Sequence, residues 1–166
     1  QSPIRLSINH LRSADVDSHS VMSATLVFNI ALSHHLMAHK NWDHDNCCSP
    51  RVRKRLHGAL KLYELSFHMH AQRATTVTTN NPSTLASANI VFSNDMNFAL
   101  ALINNSGHIY ESLGLVNKAR KFYSHMLSSV MMMIDGGEAT TIKELDGFLR
   151  NTQRLVLDGQ QVAAAA

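Results

Sequence analysis

Apolar residues in this chain return at three- and four-residue steps over four long blocks, the period of an α-helix that buries one face. From Val21 to about Lys40 the recurring positions are Met22, Leu26 and Ile30, with Val27, Ala31 and Leu32 beside them. From Arg53 to about Gln72 they are Leu56, Ala59, Leu60, Tyr63 and Phe67. Ser93-Asn94-Asp95 offers cap residues for a third helix through Met96, Leu100, Ile103, Gly107 and Tyr110, ending near Gly114. A fourth follows at once from Val116 to Ile134 and stops at Asp135-Gly136-Gly137. The Gly114 turn makes helices three and four an antiparallel pair. The expected fold class is therefore all-α, built from antiparallel helical hairpins.

Between and beyond these blocks the composition marks boundaries. Residues 1–20 read as an irregular lead-in, with Pro3 in an extended start. The first hairpin spans 21–73 and carries an inserted loop at 41–50, where Asn, Asp, Ser and Pro break the period. Residues 74–91, rich in Thr, Asn and Ser, are expected as a long loop, since these side chains compete for backbone hydrogen bonds. The second hairpin covers 92–135. Thr141 and Glu144 have capping-box spacing, which places a capping helix at 139–157 with Leu145, Phe148, Leu149 and Leu155 as its apolar face. An Ala-rich tail at 158–166 is left to fray.

Charge and cysteine usage narrow the class of function. Fifteen basic against twelve acidic residues leave a net charge of +3, too mild to imply nucleic acid. The two cysteines, Cys47 and Cys48, are adjacent and suit a reducing compartment better than a disulfide scaffold. An intracellular location, cytoplasmic or nuclear, is expected, with organelle targeting left open because the sequence starts at Gln1. No stretch approaches the ~18–20 uncharged apolar residues of a spanning helix, so no membrane span is expected.

The segment Ile103-Asn104-Asn105-Ser106-Gly107-His108-Ile109-Tyr110, followed by Gly114, Ala119 and Tyr123, resembles a tetratricopeptide repeat, a helix-turn-helix unit of ~34 residues. Gly107 and Ala119 permit close approach of the helices, Tyr110 and Tyr123 fill the space beside them, and Gly114 makes the turn. The first helical pair fits the same frame, with Ala31 at the place of Gly107, His34 at that of Tyr110, and Ala59 and Tyr63 at those of Ala119 and Tyr123. It needs an insertion of about sixteen residues between the helices. The runs Asn29-Ile30-Ala31-Leu32-Ser33-His34-His35 and Ala59-Leu60-Lys61-Leu62-Tyr63-Glu64-Leu65 are also similar to divergent tetratricopeptide-like proteins of unicellular algae. The resemblance implies about two repeats closed by the C-terminal capping helix. It implies a partner-binding groove on the first helix of each pair, with Asn29, Leu32 and His35 from one and Asn104, Asn105, His108 and Glu111 from the other. An Asn in such a groove can hold an extended peptide through paired donor and acceptor bonds.

Other clusters point elsewhere less strongly. His35 and His39 share a helix face, but adjacent Cys47-Cys48 does not supply a second matched pair, and no metal or other cofactor is expected. The basic run Arg51-Val52-Arg53-Lys54-Arg55 reads as the solvated start of helix two, without aromatic residues to stack on bases. Met131-Met132-Met133 reads as core filler. No phosphate loop, nucleophile elbow or acidic pair in an apolar face is present, so no enzyme is expected. These observations lead to a non-catalytic protein–protein interaction module binding a protein or peptide. A structural subunit of a homo-oligomer or larger complex is the alternative, and an RNA-binding helical repeat the second.

Overall fold

A computed structural model describes residues 16–42, 49–80, 85–137 and 146–153, with side-chain environments over 19–40, 49–72, 96–137 and 146–153. Five helices and no strand occur among the described residues. They are α1 (Val16–Trp42), α2 (Pro50–Asn80), α3 (Leu85–Ser112), α4 (Val116–Asp135) and α5 (146–153). The chain divides into two compact units, Gln1–Leu85 and Ala86–Ala166, where the sequence suggested one.

In the first unit α1 and α2 form an antiparallel hairpin. Ser20 Oγ donates to the Met69 carbonyl at 3.4 Å, Ser66 Oγ to the Ala24 carbonyl at 2.8 Å, and the Phe28 and Tyr63 rings lie 5.4 Å apart. These three pairings descend one helix while climbing the other, which fixes the register. The α2 start is set by Ser49, whose carbonyl accepts from Arg53 N–H at 3.1 Å, and by Pro50 in the first helical position. Proline belongs there because its missing N–H has no intrahelical partner to lose. The helix thus opens three residues before the expected Arg53.

The larger departure lies at 74–91. The expected loop is helical over most of its length, since α2 continues to Asn80 and α3 begins at Leu85. A β-branched residue such as Thr costs only a few tenths of a kcal/mol in a helix, and extension from a packed helix is far easier than nucleation. Residues 81–84, which include Pro82, lie outside the described residues. α1 likewise begins at Val16, inside the expected lead-in. Residues 1–15, the heart of the 41–50 loop, both ends of the 139–157 helix and the 158–166 tail lie outside the described residues.

In the second unit α3 and α4 join through a three-residue turn, Leu113 to Leu115. Leu115 N–H donates to the Tyr110 carbonyl at 2.8 Å and Gly114 N–H to the Glu111 carbonyl at 2.9 Å, with Gly114 at φ +75°. That is the Schellman closure, and its left-handed residue favours glycine. Leu100, Ala119, Tyr123, Met126, Val130 and Met133 make the core, which Phe148 of α5 joins. Only the last of the three expected core methionines is buried: Met133 is 3% exposed, whereas Met131 and Met132 are 48% and 74% exposed. Successive helical residues turn by about 100°, so three in a row cannot share one face.

Candidate functional site

Most residues expected to pack the helical pairs lie in the interior. Ala31, Ala59, Tyr63, Ala119 and Tyr123 are all buried. Tyr123 lies directly over Gly107, where an added Cβ would meet its ring carbons at 3.0 Å. Tyr63 sits between Phe28 and His35, one turn to either side of Ala31, with ring distances of 5.4 and 6.2 Å. Tyr110, half-buried, packs on Phe122 at 5.2 Å and carries the Lys118 ammonium 5.5 Å over its ring.

One frame position is corrected. His34 is exposed, and the next residue, His35, takes the buried place, with its Nδ1 3.5 Å from the Tyr63 hydroxyl. His35 follows Ala31 by four residues, the step that stays on one helix face, whereas His34 is rotated about 100° away from it. The rings of His35 and His39 are 5.1 Å apart. Residues His44, Cys47 and Cys48 lie outside the described residues.

The groove positions divide into closed and open. Leu32 and His35 in the first unit, and Asn104 and Asn105 in the second, are at most 7% exposed, so a peptide does not reach these side chains as the chain is folded. Asn104 Oδ1 instead accepts from Asn151 Nδ2 of α5 at 2.7 Å, and Asn104 Nδ2 lies 3.4 Å from Asn105 Oδ1. The expected capping helix therefore covers part of the expected groove. Asn29, His108 and Glu111 stay half-buried and accessible.

Two outward faces of the first hairpin were missed or misread. Met22, Leu26 and Ile30 were expected on the packed face of α1, but Leu26, Ile30 and Met37 are 53%, 51% and 55% exposed. The packed face is Ala24, Phe28, Ala31, His35 and Ala38. Small residues carry much of that face, so the larger apolar side chains dominated the periodicity. On α2, Phe67 is likewise 47% exposed rather than in the core. Opposite the buried positions Val52, Leu56, Ala59, Tyr63 and Ser66, α2 presents Arg51, Lys54, Lys61 and Leu65 to solvent.

Residues His19–Lys40 of α1 are long and apolar enough to cross a membrane by length and composition, which the sequence reading did not anticipate. Thirty-nine per cent of that span is buried inside the structure. Two of its hydroxyls bond within the helix, Thr25 Oγ1 donating to the Val21 carbonyl at 2.8 Å and Ser33 Oγ to the Asn29 carbonyl at 2.9 Å. This is weak support for a membrane role, since core helices of globular proteins pass the same test. Compared with known proteins, the chain matches no family model, no curated protein and no solved structure.

Proposed function

We propose that the chain is a non-catalytic protein–protein interaction module, an adaptor or scaffold built from tetratricopeptide-like hairpins. The two hairpins support this reading through their shared construction, a tyrosine laid across a small residue, at Tyr63 with Ala31 and at Tyr123 with Gly107. The observation that carries it is the exposed row Leu26, Ile30 and Met37 on the outer side of α1. Leu26 and Ile30 stand one turn apart and Met37 two turns further on, beyond the exposed Ser33, and large apolar side chains grouped on one solvent-facing side are what a docking face presents. In this reading docking falls on the outer side of α1 rather than in the groove, four of whose seven positions are closed.

Purification of the tagged full chain from its native source tests the two readings against each other. A Leu26→Ser/Ile30→Ser variant that loses a specific co-purifying protein supports docking through α1. Loss in Asn29→Ala alone returns the function to the groove. Identical partners for all three chains would remove both faces from consideration.

A further inference from the structure

A glycine within a helix weakens it more than any residue except proline, so each one invites the question of what needs the missing side chain. Gly107 has its answer inside the fold, in the Tyr123 ring. Gly58, in the middle of α2, has none: a Cβ built there meets nothing within 4 Å. Open space lies over this backbone, and the residues around it are of one kind. Arg51, Lys54, Gly58, Lys61 and Leu65 follow one another at steps of three, four, three and four, a straight row along the helix about 21 Å long.

The row is basic. Arg51, Lys54 and Lys61 are exposed and make no ion pair with any described residue, and the ion pair on α2, Glu64 with His68 at 4.0 Å, uses the helix's one acidic residue. α2 carries six Lys or Arg residues against that single Glu, with no acidic residue in its first turn. Leu65, 48% exposed, closes the row with an apolar side chain.

We propose that this row docks an acidic amphipathic helix of another protein. The three-four spacing is the ridge into which a second helix packs, the glycine notch lets its backbone approach at the centre, and the cations flank the notch where carboxylates meet them. Leu65 takes an apolar residue at the end of the contact. Nucleic acid is the poorer fit, since no aromatic side chain interrupts the row to stack a base. This face differs from the α1 row, and either can fail without the other.

The test titrates the full chain against a labelled helical peptide bearing Glu at three- and four-residue steps along one face and a terminal Leu. Its controls are a peptide of the same composition in scrambled order and a short oligonucleotide. The designed peptide is expected to bind with an affinity that falls as salt is added, and to exceed the scrambled one by about tenfold. Lys54→Glu/Lys61→Glu should weaken it by about tenfold or more. Gly58→Ala should also weaken it while making the chain more stable, so the loss is not unfolding. Equal binding of designed and scrambled peptides, an oligonucleotide that outcompetes the peptide, or undiminished binding by both variants overturns the proposal.

Discussion

Placing the same methyl group at Gly58 and at Gly107 should move stability in opposite directions. Both are interior helical positions, so Ala gains about 0.5–1 kcal/mol at each by restricting the unfolded chain and favouring the helix. At Gly58 nothing opposes that gain, because no atom lies within 4 Å of the new Cβ. At Gly107 the Cβ meets Tyr123 Cε1 and Cζ at 3.0 Å and Cδ1 at 3.4 Å. Tyr123 is 2% exposed and belongs to the core with Met126 and Val130, so its ring has little room to slide. Overpacking of this kind costs about 1–3 kcal/mol, which leaves Gly107→Ala destabilised by about 1 kcal/mol. The two variants should then differ by about 2 kcal/mol, or roughly ten degrees in unfolding midpoint for units of this size. Because the residues belong to different units, hydrogen exchange resolved by peptide is the suitable assay, read in α2 for one and in α3 and α4 for the other. Equal shifts of the same sign in both would refute the assignment of Gly107 as a packing glycine and of Gly58 as an unopposed one.

Three further outcomes follow from named contacts. Asn151→Ala strips Asn104 Oδ1 of its 2.7 Å donor, and at about 1 kcal/mol per buried hydrogen bond it should speed amide exchange in 146–153 before the rest of the second unit responds. Exchange unchanged in that segment would mean that Phe148 and Leu149 alone hold α5. Ser66→Ala removes the 2.8 Å bond to the Ala24 carbonyl at a fully buried site and should cost about 0.5–1.5 kcal/mol in urea unfolding, with no change in helix content. Arg53→Glu exchanges a cation for an anion in the first turn of α2, which itself contains no acidic residue, and should raise the first unit's stability by about 0.3–1 kcal/mol at low salt. A gain that persists at high salt would point away from the dipole.

Much of the fold was legible because it rests on period and punctuation. The bounds of α4 follow from Gly114 and from Asp135-Gly136-Gly137, and the close approach at Gly107 and Tyr123 follows from residue size at fixed spacing. The stretch 74–91 was misread because composition reports what a segment prefers alone, whereas an established helix extends through indifferent residues. The face of α1 was misread for a related reason. Its seam is lined by Ala24, Ala31 and Ala38 with Phe28 and His35, so summed hydrophobicity pointed to Leu26 and Ile30 instead. The residues expected to line a groove lie on α1 and α3, but the hydrogen bond from Asn151 that closes Asn104 joins residues 47 apart, which no local pattern reveals.

The first unit holds more surface chemistry than its own folding requires. A two-helix hairpin needs one apolar stripe on each helix, and Ala24 to Ala38 on α1 and Val52 to Ser66 on α2 supply them. Leu26, Ile30 and Met37 form a second stripe turned away from the first, and exposed apolar area of that kind gains nothing for the isolated hairpin. Arg51, Lys54 and Lys61 form a row turned away from the α2 seam, where the positive helix end acts against Arg51 and Lys54 and like-charge repulsion acts between those two. Each row is thus neutral or unfavourable for the unit that carries it, and each becomes favourable only when something complementary covers it. An apolar helix suits the α1 face and an acidic one the α2 face. If Leu26→Ser/Ile30→Ser and Lys54→Glu/Lys61→Glu both leave every binding measurement unchanged, that reasoning fails, because two surfaces would then persist at a cost to folding with no partner that repays it.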